Sequence, residues 1–195
     1  MNMRHRRKRQ RNSQRGSGLI ELMIAMVVLA IGLGGATTLL VTAIASNHRN
    51  NTDTTAVLLA QKVIEQISAQ NVYADTVVNV TDCAGNQFLF STDPGAVGTG
   101  FGAQLTANGT IDFTQPIASV PAGYAMTYVA CSTQGGGLPS AYDVRWNVMN
   151  VSTNSSVRLI TAAARPTAGT VNQLGGLYFS IPVNLRGIGG PNIGE

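Results

Sequence analysis

The 195-residue sequence predicts an α+β fold: one long N-terminal helix, its first half able to span a membrane, packed on a C-terminal antiparallel β-sheet. Three observations carry that expectation. Leu22 to Ala45 runs without a charged residue. Beyond it, Ala56, Leu59, Ala60, Val63, Ile64 and Ile67 recur close to the 3.6-residue period of a helix. From about residue 71, Gly, Pro, Asn, Asp, Ser and Thr rise, and short alternating runs appear between turns.

The N-terminus comes first. Seven of the thirteen Lys and Arg lie in the first fifteen residues: Arg4, Arg6, Arg7, Lys8, Arg9, Arg11 and Arg15. All nine acidic residues lie at or after Glu21, so residues 17–195 hold six basic against nine acidic groups, a net −3. The formal charge of +4 therefore describes a leader, residues 1–16, and gives no case for nucleic-acid binding by the rest. The uncharged stretch of 24 residues reaches roughly 36 Å as a helix, enough for a hydrocarbon core of about 30 Å. The positive-inside rule holds the Arg-rich end in the cytoplasm and sends the bulk of the chain across.

Glu21 interrupts a plain anchor. A carboxylate at the start of an apolar stretch is expensive in lipid, which marks a functional candidate. The alternative is a side chain tolerated at headgroup level. Two other export signals fit less well. Ala43-Ile44-Ala45 offers a small-x-small cleavage site, but the apolar stretch is too long for an ordinary signal core, and Glu21 is out of place in one. Arg6-Arg7 stands ten residues before the first apolar run, too far for a twin-arginine signal.

Gly16-Ser17-Gly18-Leu19-Ile20-Glu21, behind a short basic leader, resembles the class III signal of type IV prepilins and pseudopilins. The stretch Leu19 to Leu33, with its Leu-Ile-Glu start and Ala30-Ile31-Gly32-Leu33 continuation, is most similar to PilV-type minor pilins. The resemblance implies a pilin-like fold and a bacterial inner-membrane, single-pass subunit, with its C-terminal domain in the periplasm or in the extracellular pilus. It implies cleavage after Gly16 by the prepilin peptidase and methylation of the new N-terminus, Ser17, where the family usually has Phe or Met. It also implies assembly with other major and minor pilins through Leu19, Ile20 and Glu21. Glu21 would meet the N-terminal amine of a neighbouring subunit, since a buried carboxylate needs a charge partner. A type II secretion pseudopilin and a tip adhesin or ligand-binding subunit are the alternatives.

The expected divisions are 1–16 leader, 17–45 transmembrane and assembly half of the helix, 46–70 extramembrane half, and 71–195 globular β-rich domain with a flexible tail. One helix is expected over about 18–70. Gly32, Gly34 and Gly35 permit close helix packing or, by the resemblance, local loosening. Strands are expected near Phe88–Phe90, Thr110–Phe113, Tyr124–Cys131, Ala141–Val148 and Val157–Ala163. In Tyr142 to Val148, Tyr142, Val144, Trp146 and Val148 share one face, and Asp143, Arg145 and Asn147 the other. Loops are expected at Ser91–Gly102, Thr133–Ser140 and Ala164–Gln173, and a frayed tail after Arg186.

Cys83 and Cys131 either pair across a loop in an oxidising compartment or stand as two separate thiols. A bond of that span stabilises by roughly 3–4 kcal/mol in the chain-entropy description. No catalytic constellation is expected. The histidines are His5 and His48 alone, leaving no base beside a nucleophile and no zinc set. Asp75, Asp82 and Asp93 lack the spacing of a calcium loop. No cofactor or metal is expected, and the reading is of a structural subunit.

Overall fold

A computed structural model describes residues 18–70, 78–95, 97–131, 140–151, 157–167 and 181–189. The fold is α+β: a long helix and antiparallel sheets. The chain divides into two units, one ending at Asn47 and one running from His48 to Glu195. Helix α1, Leu19–Ser68, begins in the first and ends in the second.

In the first unit α1 is uninterrupted, Gly32, Gly34 and Gly35 included. The Thr37 and Thr38 hydroxyls donate to the carbonyls of Gly34 and Gly35, both at 2.8 Å, and Thr42 to that of Leu39 at 2.9 Å. Their polar groups are thus satisfied within the helix, as an apolar solvent requires.

In the second unit, two sheets meet the last turns of α1. Strands β1 (Val78–Thr81) and β2 (Gln87–Phe90) form a hairpin. The larger sheet holds β3 (Phe101–Gly102), β4 (Ala125–Ala130), β5 (Ser140–Asn150), β6 (Arg158–Pro166) and β7 (Val183–Gly189). The eleven-residue β5 is the spine. One edge pairs with β6, and β7 pairs beyond it. The other edge is shared end to end: β4 takes Ser140 to Arg145 and β3 takes Asn147 and Val148. Gly102 makes that division possible. Its φ is 116°, and a Cβ there would collide with the Trp146 carbonyl and the Tyr124 ring.

The helix-facing side of the sheet is the apolar core. Tyr142, Val144, Trp146 and Val148 of β5 lie in register with Pro166, Ala164, Ala162 and Ile160 of β6. Against them pack Ala56, Leu59, Ala60, Val63 and Ile67 of α1. The Phe90 ring stacks on Trp146 at 4.2 Å between centroids. Small residues at 56, 60, 162 and 164 let backbones approach. Gly187 of β7 has the same role, because a Cβ there would strike the Ile64 side chain.

The polar side of β5 is covered as well: Asp143, Arg145 and Asn147, on the face opposite the apolar core, are all buried. Residues 103–120 lie over them. Asn147 Nδ2 donates to the Ala103 carbonyl at 2.9 Å, and Arg145 Nη1 to that of Gln115 at 2.6 Å. Asn184 Oδ1 accepts the Ile111 N–H at 3.0 Å, and Arg186 Nη2 donates to the Asn108 carbonyl at 2.9 Å. Arg145 and Arg165 both stack over Phe113, at 4.8 and 4.5 Å. Arg145 also makes a two-pronged ion pair with Asp143, at 2.8 and 2.7 Å. A polar sheet face has become the adhesive for an irregular covering layer.

Several expectations need correction. Thr110–Phe113 is no strand: Ile111 makes one isolated bridge to Leu105 within the covering layer. The tail after Arg186 is not frayed as far as Gly189, since β7 is hydrogen-bonded along β6. Ala164–Pro166, expected in a loop, ends β6. Phe101–Gly102 forms β3, Ser140 opens β5, and Cys131 lies just past β4. Strand β1 was not expected. Residues 133–139 and 168–173, expected as loops, lie outside the described residues, as does the leader.

Candidate functional site

The candidate site is the start of α1. Gly18 stands just before the helix, and its carbonyl accepts the N–H groups of Glu21 and Leu22, at 2.9 and 3.3 Å. This closes the first turn and puts Glu21 inside it. Gly16 and Ser17 lie outside the described residues.

The side chains around Glu21 are uncovered. Leu19 is 79% exposed and Ile20 72%. Farther along, Leu22, Met23, Ile24, Met26, Val27, Val28, Leu29 and Ile31 are exposed as well, as are Leu33, Leu39, Leu40, Val41 and Ile44. This is far more contiguous apolar surface than a soluble monomer shows. It is also arranged all round the helix, so one flat partner does not cover it. A surface of this kind is satisfied by lipid or by several helices at once. Among the described residues, α1 is the helix long and apolar enough to cross a membrane.

With that geometry in view, the family comparison is direct: the Prokaryotic N-terminal methylation motif matches residues 11–37. The chain carries a class III prepilin signal. The matched stretch of this prepilin-type sequence contains Gly16, Ser17, Leu19, Ile20 and Glu21, and runs on through Gly32, Gly34 and Gly35. It stops well before the sheet. The signal and the apolar helix together are those of a membrane-anchored, single-pass protein of the type IV pilin and pseudopilin kind. No curated protein and no solved structure matches the chain.

A second cluster lies at the β1–β2 turn. Cys83 and Cys131 are disulfide-bonded, with Cα atoms 5.8 Å apart. Asp82, just before the first cysteine, accepts hydrogen bonds from the Asn86 backbone and side chain, both at 2.8 Å. It also accepts the N–H groups of Ala84 at 3.0 Å and Val129 at 3.2 Å. Burial by itself would raise the Asp82 pKa, but these donors outweigh it and hold the carboxyl below its ordinary value. The turn is thereby fastened to β4, and Val129, on the outer edge of that strand, is already engaged. The contact of Asp82 with Val129, 47 residues away, left no local signal in the sequence.

Among the described residues no group of three or more His, Cys, Asp or Glu is placed to hold a metal ion.

Proposed function

We propose that this protein is a minor pilin: a prepilin cut after Gly16, N-methylated at Ser17 and assembled through residues 17–45 to initiate or modify a type IV pilus. The observation that carries the reading is a methylation motif over residues 11–37 leading into an apolar helix with a carboxylate in its first turn. Residues 1–16 are then the cytoplasmic leader removed by the prepilin peptidase. Residues 46–70 carry the helix out of the bacterial inner membrane, and 71–195 form the domain displayed in the periplasm or pilus. Leu19 and Ile20 pack on neighbouring pilin helices, and Glu21 pairs with the amine of an adjacent subunit. The pairing resolves a physical conflict, since an ionised carboxylate among packed apolar helices is stable only beside an opposite charge. No cofactor enters this role, and the chain acts as a structural subunit.

Type II secretion pseudopilins share the signal. The Ala30-Ile31-Gly32-Leu33 continuation favours the PilV-type minor pilin. The test is Glu21→Gln expressed in the native host, with sheared filaments and membranes probed separately. The reading expects the variant to be cut normally, to remain in the membrane and to be missing from filaments. Wild-type protein absent from filaments but present in a secretion complex would overturn the pilus assignment.

A further inference from the structure

The larger sheet has two outer strands, and the chain treats them differently. An unpaired strand edge offers a row of N–H and carbonyl groups to any other strand, so natural sheets block the edges they do not use. The edge of β4 is blocked at Val129. Its N–H donates to Asp82 Oδ2 at 3.2 Å, and its carbonyl accepts the Cys83 N–H at 3.4 Å. The Cys83–Cys131 bond holds that block in place. A ladder running along β4 would be interrupted there.

Strand β7 carries no such device. Its seven residues pair with β6. Among the described residues no further strand pairs with its other side, and it holds no proline. Two side chains on the face away from α1 mark this edge. Met149, Leu159 and Ile188 stand in register across β5, β6 and β7, an apolar row that ends uncovered, with Ile188 73% exposed. Two residues earlier, exposed Arg186 uses Nη2 to hold the Asn108 carbonyl at 2.9 Å. Among the described residues no carboxylate lies within ion-pair distance of it.

Arg186 also decides which partner fits. It is the central residue of Val183–Gly189. A second copy pairing antiparallel along the whole strand would therefore set Arg186 opposite Arg186. Like charges directly across a sheet are destabilising, whereas opposite charges are favourable. The edge disfavours its own copy and accepts an acidic strand.

We propose that the outer edge of β7 docks an extended segment of a different polypeptide by strand addition, with a carboxylate across from Arg186 and an apolar side chain across from Ile188. Main-chain hydrogen bonds supply the affinity, and these two positions supply the selection. Docking there needs only the sheet domain, so it stands apart from the pilus reading.

The fluorescein-labelled heptapeptide Thr-Ile-Thr-Glu-Thr-Thr-Thr, titrated by anisotropy against the full chain in detergent micelles, tests this. In antiparallel pairing its Glu meets Arg186 and its Ile meets Ile188. Saturable binding is expected, weakened about fivefold by Ile188→Lys and by a similar factor by Arg186→Glu. The Arg186→Glu chain should recover about that factor for the same peptide with Lys in place of Glu, which a misfolded variant would not do. No saturable binding up to about 1 mM, or binding unmoved by both variants, overturns the docking site. Slow amide exchange at every β7 residue without peptide would overturn it too, because the edge would already be occupied. A dimer in sedimentation that Ile188→Lys disperses would show a second copy on the edge and overturn the choice of partner.

Discussion

The two ends of α1 have opposite relations to the rest of the chain. Up to Ile44 the large apolar side chains are uncovered, whereas from Ala56 onward one stripe is buried against the sheet, on whose far face residues 103–120 hide even Arg145, only 1% exposed. In the first region the described apolar side chains stay uncovered. In the second, described polar residues such as Asp143, Arg145 and Asn147 are buried and hydrogen-bonded. Side-chain chemistry alone does not decide which residues end up inside. What decides is whether another described part of the chain covers them.

The comparison breaks first, and most visibly, at the core. Trp146→Ala removes the ring stacked under Phe90 and should cost about 4–5 kcal/mol of domain stability in a denaturant titration. Leu29→Ala, an apolar deletion in the exposed half, should leave that titration unchanged. Equal destabilisation by both would mean the two regions do not differ as described.

Arg145→Ala comes next. It strands the buried Asp143 with Arg165 alone, at 3.3 Å, and frees the covering layer at Gln115. A loss of about 3–5 kcal/mol is expected, with faster proteolysis within residues 103–120. Arg145→Met should recover part of it, because the site is enclosed by the Phe113 ring. Reduction of the Cys83–Cys131 bond should cost roughly 3–4 kcal/mol, read as a lowered Tm in reducing buffer. The N-terminal half should again be indifferent.

The smallest effect is a pH dependence at Asp82. Its pKa is lower folded than unfolded, from an ordinary value of 3.8. The stabilisation is therefore fully present above that value and is lost as the pH falls through the folded pKa. Asp82→Asn should flatten the acid limb of the stability profile below about pH 4 relative to wild type. An unchanged limb would remove Asp82 from the account.

Much of the architecture was readable before any coordinates. An uncharged run followed by a 3.6-residue period can be only a long helix, and Tyr142 to Val148 alternates too cleanly to be anything but a strand. The failures share a cause. The burial of Asp143, Arg145 and Asn147 left no signal, because alternation reports two faces but not what covers them; the cover is held by carbonyls more than 25 residues away. Thr110–Phe113 has strand-like composition but serves as that cover. The end of β7, past Arg186, reads as tail because Gly187 and Gly189 dilute it, and Gly187 is there to clear Ile64, a residue 123 positions earlier. The N-terminal signal was legible for the opposite reason. Its residues are contiguous, since a peptidase reads them as a linear segment before any fold exists.

The central claim is that the exposed helix begins at a processed pilin-type N-terminus, and the mass and sequence of the mature protein's first residues test it most directly. Cells with an active prepilin peptidase should yield a chain starting at methylated Ser17, and cells lacking it an uncut chain. A start at Ser46, or an uncut N-terminus in both strains, would contradict the account.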